Sequence, residues 1–183
     1  MRQETDILEP FIARPESRLV DSYLDFCRET WGHVHDSYIL HDPAKHGSWR
    51  STLLQEYSDA ERGIGLRPGF VPSATFWIML GENVIGISNI RRHLNSALLL
   101  YGGHLGLCIR PSERGKGLAR AVLPALFHTA QDLGIGMLMT STTADNAASI
   151  RLCESMPFFH RETDTVPLNG APRRILRYWH ELG

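Results

Sequence analysis

Apolar positions change their spacing about seventy residues into the chain. Four apolar residues that follow Pro15 lie near helical spacing, namely Leu19, Tyr23, Leu24 and Phe26. A second helix is predicted from Ser51 to Arg62, ended by Gly63. Residues 1–72 are therefore predicted to form a helical, loop-rich lobe.

Short apolar runs bounded by turns predict strands in the rest of the chain. Strands are predicted over 74–80, 84–90, 137–141, 158–166 and 173–179. A further strand is predicted to end at Ile109 and to begin at about Leu99 or His104. Asn169-Gly170 predicts a hairpin between the last two strands. Helices are predicted from Gly117 to Leu133 and from Asn146 to Met156. This order predicts one α/β domain over residues 1–183, with a mixed sheet flanked by helices.

Composition excludes several classes of protein. The formal net charge of −1 disfavours nucleic-acid binding through a broad basic field. The three cysteines match no metal-binding or disulfide pattern. No signal-peptide pattern and no run of roughly 20 apolar residues is present. We therefore expect a reduced, cytoplasmic protein without a metal, a nucleic-acid partner or a membrane partner.

The most informative segment runs from Leu107 to Arg120, where a predicted strand leads through a glycine-rich turn into a helix. The first turn of a helix has free N–H groups and a partial positive charge, so it binds anions, and glycines allow close approach of a phosphate. A P-loop is excluded because Arg110 and Gly117 occupy positions that require glycine and Ser or Thr. A dinucleotide fingerprint is weakened because its third glycine is Arg120.

Two motifs in this order carry a family resemblance. Residues 114–119 read RGKGLA, which is similar to the R-x-x-G-x-A coenzyme A loop of GNAT N-acetyltransferases, and residues 146–159 resemble the family's N-x-x-[SA]-I-x-L-Y-E-x-x-G-F segment. The resemblance extends from Ala74 to Trp179. It departs from the family at Cys153, where a tyrosine is usual, and at Pro157, where glycine is usual.

The resemblance implies a mostly antiparallel sheet with a splayed central strand, and acetyl-CoA as cosubstrate. The implied cofactor-binding residues lie on that strand, in the loop and at one later asparagine: Leu107, Cys108, Ile109, Arg114, Gly115, Lys116, Gly117, Leu118, Ala119, Arg120 and Asn146. The strand backbone would bind the pantetheine arm and the thioester carbonyl. The loop amides would bind the pyrophosphate.

Two residues are candidates for proton transfer. A protonated amine cannot attack a thioester, so a base must accept a proton, and His104 is the best candidate by position and by pKa. The alternative is a histidine satisfied by the backbone. Glu82, Asp36 and Asp145 are weaker base candidates. Cys153 replaces the family's usual acid, and it is either a proton donor or an ordinary buried cysteine.

The family's acceptor sites lie between the first lobe and the strand ends. There Trp31, Asp36, Tyr38, Trp77 and Glu82 are candidate substrate-binding residues. The expected function is acetyl transfer to a primary amine of a small molecule, with aminoglycosides as one candidate because acidic and aromatic residues suit a cationic sugar. A protein or peptide N-acetyltransferase and an inert acyl-CoA-binding module are the alternatives. The family also makes a homodimer a candidate assembly.

Overall fold

The computed structural model describes residues 8–33, 40–168 and 170–183. Its strands are β1 (Pro10–Ala13), β2 (Ser73–Leu80), β3 (Asn83–Arg91), β4 (Leu105–Ile109), β5 (Met137–Thr143), β6 (His160–Leu168) and β7 (Ala171–Glu181). Its α-helices are α1 (Val20–Thr30), α2 (His46–Trp49), α3 (Leu53–Arg62), α4 (Ser96–Leu100), α5 (Leu118–Asp132) and α6 (Ala147–Cys153).

The strands form two antiparallel sheets that lie side by side, edge to edge. The first sheet has the order β1-β2-β3-β4, and the second has the order β5-β7-β6. The edge strand β4 lies beside the edge strand β5, and the two are not paired as a ladder. The predicted α/β fold with mostly antiparallel strands and a splay at its centre is confirmed.

The N-terminal helices pack on one face of the first sheet. Tyr23 of α1 is fully buried and stacks on Trp77 of β2, with ring centroids 4.9 Å apart. Cys108 of β4 belongs to the same apolar cluster. The aromatic side chains of this lobe therefore form a core that fixes α1 against the central strands.

Helix α5 covers the opposite face. Its buried residues pack with alternate side chains of β2, β3 and β4 and with Leu138 of β5. This helix therefore bridges the two sheets. It continues through Pro124, which lies inside it and faces solvent.

Two short elements differ from the sequence-based expectation. The first element described in the lobe is a strand, β1, which pairs with β2 from Pro10↔Leu80 to Ala13↔Trp77. The segment before β4 is the short helix α4, because the Asn95 side chain accepts the Leu98 N–H and caps it. Consequently β4 begins at Leu105, one residue after the expected start at His104, and the alternative start at Leu99 is wrong.

Candidate active site

The backbone of β4 is open on the side that faces β5. The Arg110 N–H donates to Ile85 O and the Arg91 N–H donates to His104 O, and the register between them places the backbone groups of Gly106 and Cys108 toward β3. In an antiparallel pair the bonding direction alternates along the strand. Leu105, Leu107 and Ile109 therefore direct their N–H and C=O groups toward β5.

A cleft separates the open edge of β4 from β5. Its cavity volume is about 190 Å³. It is lined by Leu105, Gly106 and Leu107 of β4 and by Thr140, Ser141 and Thr142 of β5. Asn146, which caps α6, Cys153 of α6 and His180 of β7 also line it. The cleft closes where the His104 N–H donates to Met139 O at 2.9 Å.

The glycine-rich loop follows directly from β4. Gly115 and Gly117 have φ values of +76° and +79°, which side chains rarely adopt, and a Cβ at either position would meet nothing within 4 Å. Gly117 is the N-cap of α5 and provides no side-chain cap. The first N–H groups of α5 therefore remain available to an anion.

The basic residues of the loop have different partners. The Arg110 guanidinium donates to Glu29 at 2.6 Å, and the Ser112 N–H donates to the same carboxylate at 2.6 Å. Burial opposes ionisation of Glu29, but the Ser112 N–H and the Arg110 guanidinium outweigh it and lower the pKa of the carboxyl. Arg110 therefore links the start of the loop to α1, and its guanidinium is already engaged with Glu29.

The other loop cations remain near the glycines. Arg114 donates from Nε to Ile109 O at 2.9 Å, and Lys116 lies 2.9 Å from Glu113 with half of its side chain exposed. Arg120 is exposed on the first turn of α5. Asn146 caps α6 by accepting the Ser149 N–H, and it also lines the cleft. These positions suit contacts with a phosphate-bearing ligand.

His104 is placed as a structural link at the closed end of the cleft. Its Nδ1 accepts the Met139 N–H at 2.9 Å, and its side chain is buried. Burial, followed by the positive charges of Arg91 and His93, lowers the pKa of His104 to about 4. This geometry favours the second alternative considered from the sequence, a histidine satisfied by backbone, over a general base.

Cys153 lies in the cleft between α6 and β5. Burial raises the pKa of its thiol, although hydrogen bonds with Thr140 and Ser149 oppose the rise. Thr140 Oγ1 also lies 3.0 Å from His180 Nε2, and His180 Nδ1 lies 2.8 Å from Pro157 O. Cys153 is therefore a neutral thiol at physiological pH, in contact with a polar chain that ends at the backbone.

The candidate acceptor-binding residues are dispersed. Trp77 is fully buried beneath Tyr23, so its ring is not available to a substrate. Glu82 lies in the exposed β2–β3 turn, 3.8 Å from Arg18, and does not line the cleft. Trp31 is partly exposed at the end of α1. Asp36 and Tyr38 lie outside the described residues.

The carboxylates of the lobe already have partners. Glu61 binds Arg14 through two hydrogen bonds, Asp59 binds Arg62, and Glu56 binds His41 at 3.2 Å. Asp42 accepts the Ala44 N–H. The described part of the chain contains no group of three His, Cys, Asp or Glu side chains placed to hold a metal ion. Nor does it contain a helix of the length and apolarity that crossing a bilayer requires.

Several residues of the site were not found from the sequence. Thr140, Ser141 and Thr142 line the cleft, yet a run of hydroxyl residues on a short strand carries no motif. His180 lies next to the predicted end of β7, and only the register Leu138↔His180 brings it to the cleft. Glu29 lies far from the loop in the sequence, and only the packing of α1 against the loop brings it into contact with Arg110 and Ser112.

Known proteins resemble this chain in family and in fold. Residues 28–158 match the family described as an acetyltransferase (GNAT) domain. No curated protein matches the chain. Among solved structures, YncA, a putative acetyltransferase from Salmonella typhimurium with acetyl-CoA, is 15% identical with a TM-score of 0.59, covering 95% of this chain and 94% of its own.

Two further structures have the same fold with different stated activities. RimL, a ribosomal-protein alpha-N-acetyltransferase in complex with coenzyme A, is 15% identical with a TM-score of 0.62, covering 93% of this chain and 91% of its own. A chimera of the spermidine N-acetyltransferase SpeG from Vibrio cholerae and hSSAT is 15% identical with a TM-score of 0.61, covering 95% and 96%. Since the family match covers most of the chain and includes the loop and the parts of β4, β5 and α6 that line the cleft, the protein belongs to the GNAT acetyltransferase family.

Proposed function

We propose that this protein transfers the acetyl group of acetyl-CoA to a primary amine of a small molecule. One observation carries the proposal: the open backbone edge of β4 leads directly into the glycine-rich loop at the start of α5. An extended chain of amides that ends in a pyrophosphate has the chemistry to match both parts.

The residues present fit this cosubstrate. The N–H and C=O groups of Leu105 and Leu107 face the cleft and would pair with the amides of the pantetheine arm. The loop from Arg114 to Leu118 would bind the pyrophosphate through backbone N–H groups, which need no side chain at Gly115 and Gly117. Glu29 would hold the loop in place by fixing Arg110 and Ser112.

The reaction needs only direct attack. The amine nitrogen attacks the thioester carbonyl carbon, the carbon–sulfur bond breaks, the amine loses a proton to water, and the departing thiolate gains a proton from solvent. A backbone N–H of β4 that faces the cleft would stabilise the oxygen that becomes negative. Because the Nδ1 of His104 is occupied, we propose that water accepts the amine proton. The neutral Cys153 thiol lines the cleft and could donate a hydrogen bond to the sulfur.

The class of amine is the finer part of the proposal. Aminoglycosides were suggested by the acidic residues between Trp31 and Glu61. The four of these that the structure describes are engaged with this chain's own side chains or backbone, namely Asp42, Glu56, Asp59 and Glu61. The support for an aminoglycoside acceptor is therefore reduced. The acceptors named for structures of this fold include spermidine and a ribosomal protein, so small polyamines and peptide N-termini belong in the same test.

A panel of amines tests this proposal. Release of free thiol from acetyl-CoA is measured with aminoglycosides, polyamines, amino acids and peptides that have free N-termini. The proposal predicts turnover with at least one small amine and none without an amine. Turnover with peptides alone would replace it with protein acetylation, whereas binding of acetyl-CoA without any turnover would indicate the inert acyl-CoA-binding module.

A further inference from the structure

His104 directly precedes β4 and bonds to both β3 and β5 at the closed end of the cleft. Its carbonyl accepts the Arg91 N–H of β3 at 2.8 Å, its N–H donates to Met139 O of β5 at 2.9 Å, and its Nδ1 accepts the Met139 N–H at 2.9 Å. A single residue therefore bonds both backbone groups of Met139. This pair of contacts marks the position from which β4 and β5 separate.

The imidazole is held in one neutral form. Because Nδ1 accepts a hydrogen bond, the ring proton of the neutral form lies on Nε2. The charged groups that act on the ring are Arg91 and His93, and both favour the neutral form, as burial does. The ring lone pair that a general base would use is already directed at the Met139 N–H.

Gly103, the residue before His104, allows the same close approach to β5. A Cβ at Gly103 would lie 2.3 Å from Met139 O, which is closer than any side chain tolerates, and φ is +67° there. Gly102 donates its N–H to Ser141 Oγ at 2.8 Å. The chain that enters β4 is therefore attached to β5 at Met139 and Ser141, immediately before the cleft opens.

We propose that His104 is a positioning residue that fixes β5 against β4 and thereby sets how deeply the thioester enters the cleft. The proposal rests on the acetyl transfer proposed above. The thioester carbonyl must meet a β4 backbone N–H within a narrow range of distance, and a displacement near 1 Å can cost on the order of 100-fold in rate. The imidazole contributes through Met139 and not through proton transfer.

Three substitutions separate this role from that of a base. The amide of His104→Asn can place an oxygen near the position of Nδ1, whereas His104→Gln places it near Nε2, and His104→Phe has no acceptor. We expect His104→Asn to stay within about tenfold of wild-type kcat, because removal of a base would cost 10²–10⁴-fold. We expect the Gln and Phe variants to lose on the order of 100-fold in kcat.

The binding of coenzyme A and the pH profile complete the test. All three variants should keep the wild-type dissociation constant for coenzyme A within about threefold, since the phosphate loop is untouched. The pH dependence of kcat in His104→Asn should match that of the wild type. An inactive His104→Asn variant that is folded and binds coenzyme A, or one that has lost an ionisation from its profile, would overturn the proposal.

A spectroscopic measurement keeps the proposal testable without an acceptor. The nitrogen chemical shifts of the His104 ring should show the Nε2–H neutral form from pH 5 to 8. An Nδ1–H form, or protonation near pH 6.5, contradicts the proposal even if the variants fail to fold. Wild-type protein without turnover on any amine would refute the proposed function, while these ring shifts would still decide the role of His104.

Discussion

At the scale of single residues, the structure separates side chains that occupy the cleft from side chains that support it. Cys153, Thr140 and Asn146 line the cleft. Glu29 and His104 support it from outside, through Arg110 in one case and Met139 in the other. We expect substitutions in the first group to change turnover mainly through the reacting atoms, and those in the second to act through the backbone.

Cys153 gives the first prediction at this scale. Cys153→Ala should lose less than about tenfold in kcat, which corresponds to an increase of less than about 1.4 kcal/mol in the activation free energy. The reason is that a thiol with a raised pKa is a weak proton donor. Cys153→Ser is the matched control, since its hydroxyl keeps a donor at the same place. A dead Ala variant alongside an active Ser variant would assign the acid role to this position.

His104 gives the second prediction, which concerns stability. Its pKa is about 4 in the folded protein, against an ordinary value of 6.5 for histidine, so the unfolded chain binds more protons between these pH values. The stabilisation present at pH 7 is therefore lost as the pH falls from 6.5 to 4, with a maximum of about 3 kcal/mol for this residue.

Denaturant unfolding at pH 7, 5.5 and 4.5 measures this loss. Burial also lowers the pKa of His41 and His180, so the wild type carries the same trend from three histidines. The informative quantity is the difference in free energy of unfolding between wild type and His104→Asn at each pH. As the pH falls, the free energy of unfolding of His104→Asn should decrease less steeply than that of the wild type. Identical slopes for both proteins would show that His104 keeps its ordinary pKa.

At the scale of elements, only the first end of α5 is proposed to bind phosphate, so equivalent substitutions at its two ends form a matched pair of variants. Gly117 precedes the helix and Gly134 follows it, both with positive φ and with no atom near a new Cβ. A leucine at either position costs about 1–2 kcal/mol of backbone strain. We expect Gly117→Leu to abolish the stabilisation by acetyl-CoA and Gly134→Leu to retain it. Thermal unfolding with and without ligand compares them, and equal effects would exclude the loop as the phosphate site.

Pro124 gives a second prediction for the same helix. Proline inside a helix removes one backbone hydrogen bond, and it usually lowers the stability of the helix by about 3 kcal/mol relative to alanine. About 1 kcal/mol of this loss is offset because proline restricts the conformations of the unfolded chain. Because Pro124 faces solvent, Pro124→Ala should raise the free energy of unfolding by up to about 2 kcal/mol. Chemical denaturation measures this, and a destabilised variant would show that the proline supports a packing contact.

The elements also show what sequence patterns could and could not predict. Strands β2, β3 and β5 to β7 and helices α1, α3, α5 and α6 follow from periodicity and turn residues, and they were predicted within a few positions. Strand β1 has only four residues, too few to show a period, and it is a strand because β2 offers it an edge. The cleft itself lies between two sheets, and no local pattern reports where a ladder fails to form.

At the scale of the whole molecule, we expect two parts of the fold to bind one cosubstrate, acetyl-CoA. In the proposed complex, the N–H groups of the loop at the start of α5 would bind the phosphates, and the open edge of β4 in the gap between the sheets would bind the rest of the cosubstrate. Acetyl-CoA should therefore bind the folded state alone. At a hundredfold excess over its dissociation constant it should stabilise the protein by roughly 2.7 kcal/mol, measured as a rise in Tm. Absence of both a shift and calorimetric heat would contradict this attachment.

The most direct test of the account follows the acetyl group itself. The protein is incubated with acetyl-CoA that carries a labelled acetyl carbonyl, together with the best amine of the panel, and the products are analysed by mass spectrometry. The account predicts that the label appears as an amide on the amine, with one free coenzyme A released for each amide formed. Label that stays in acetyl-CoA, or that appears only as free acetate, would contradict the assignment as an acetyltransferase.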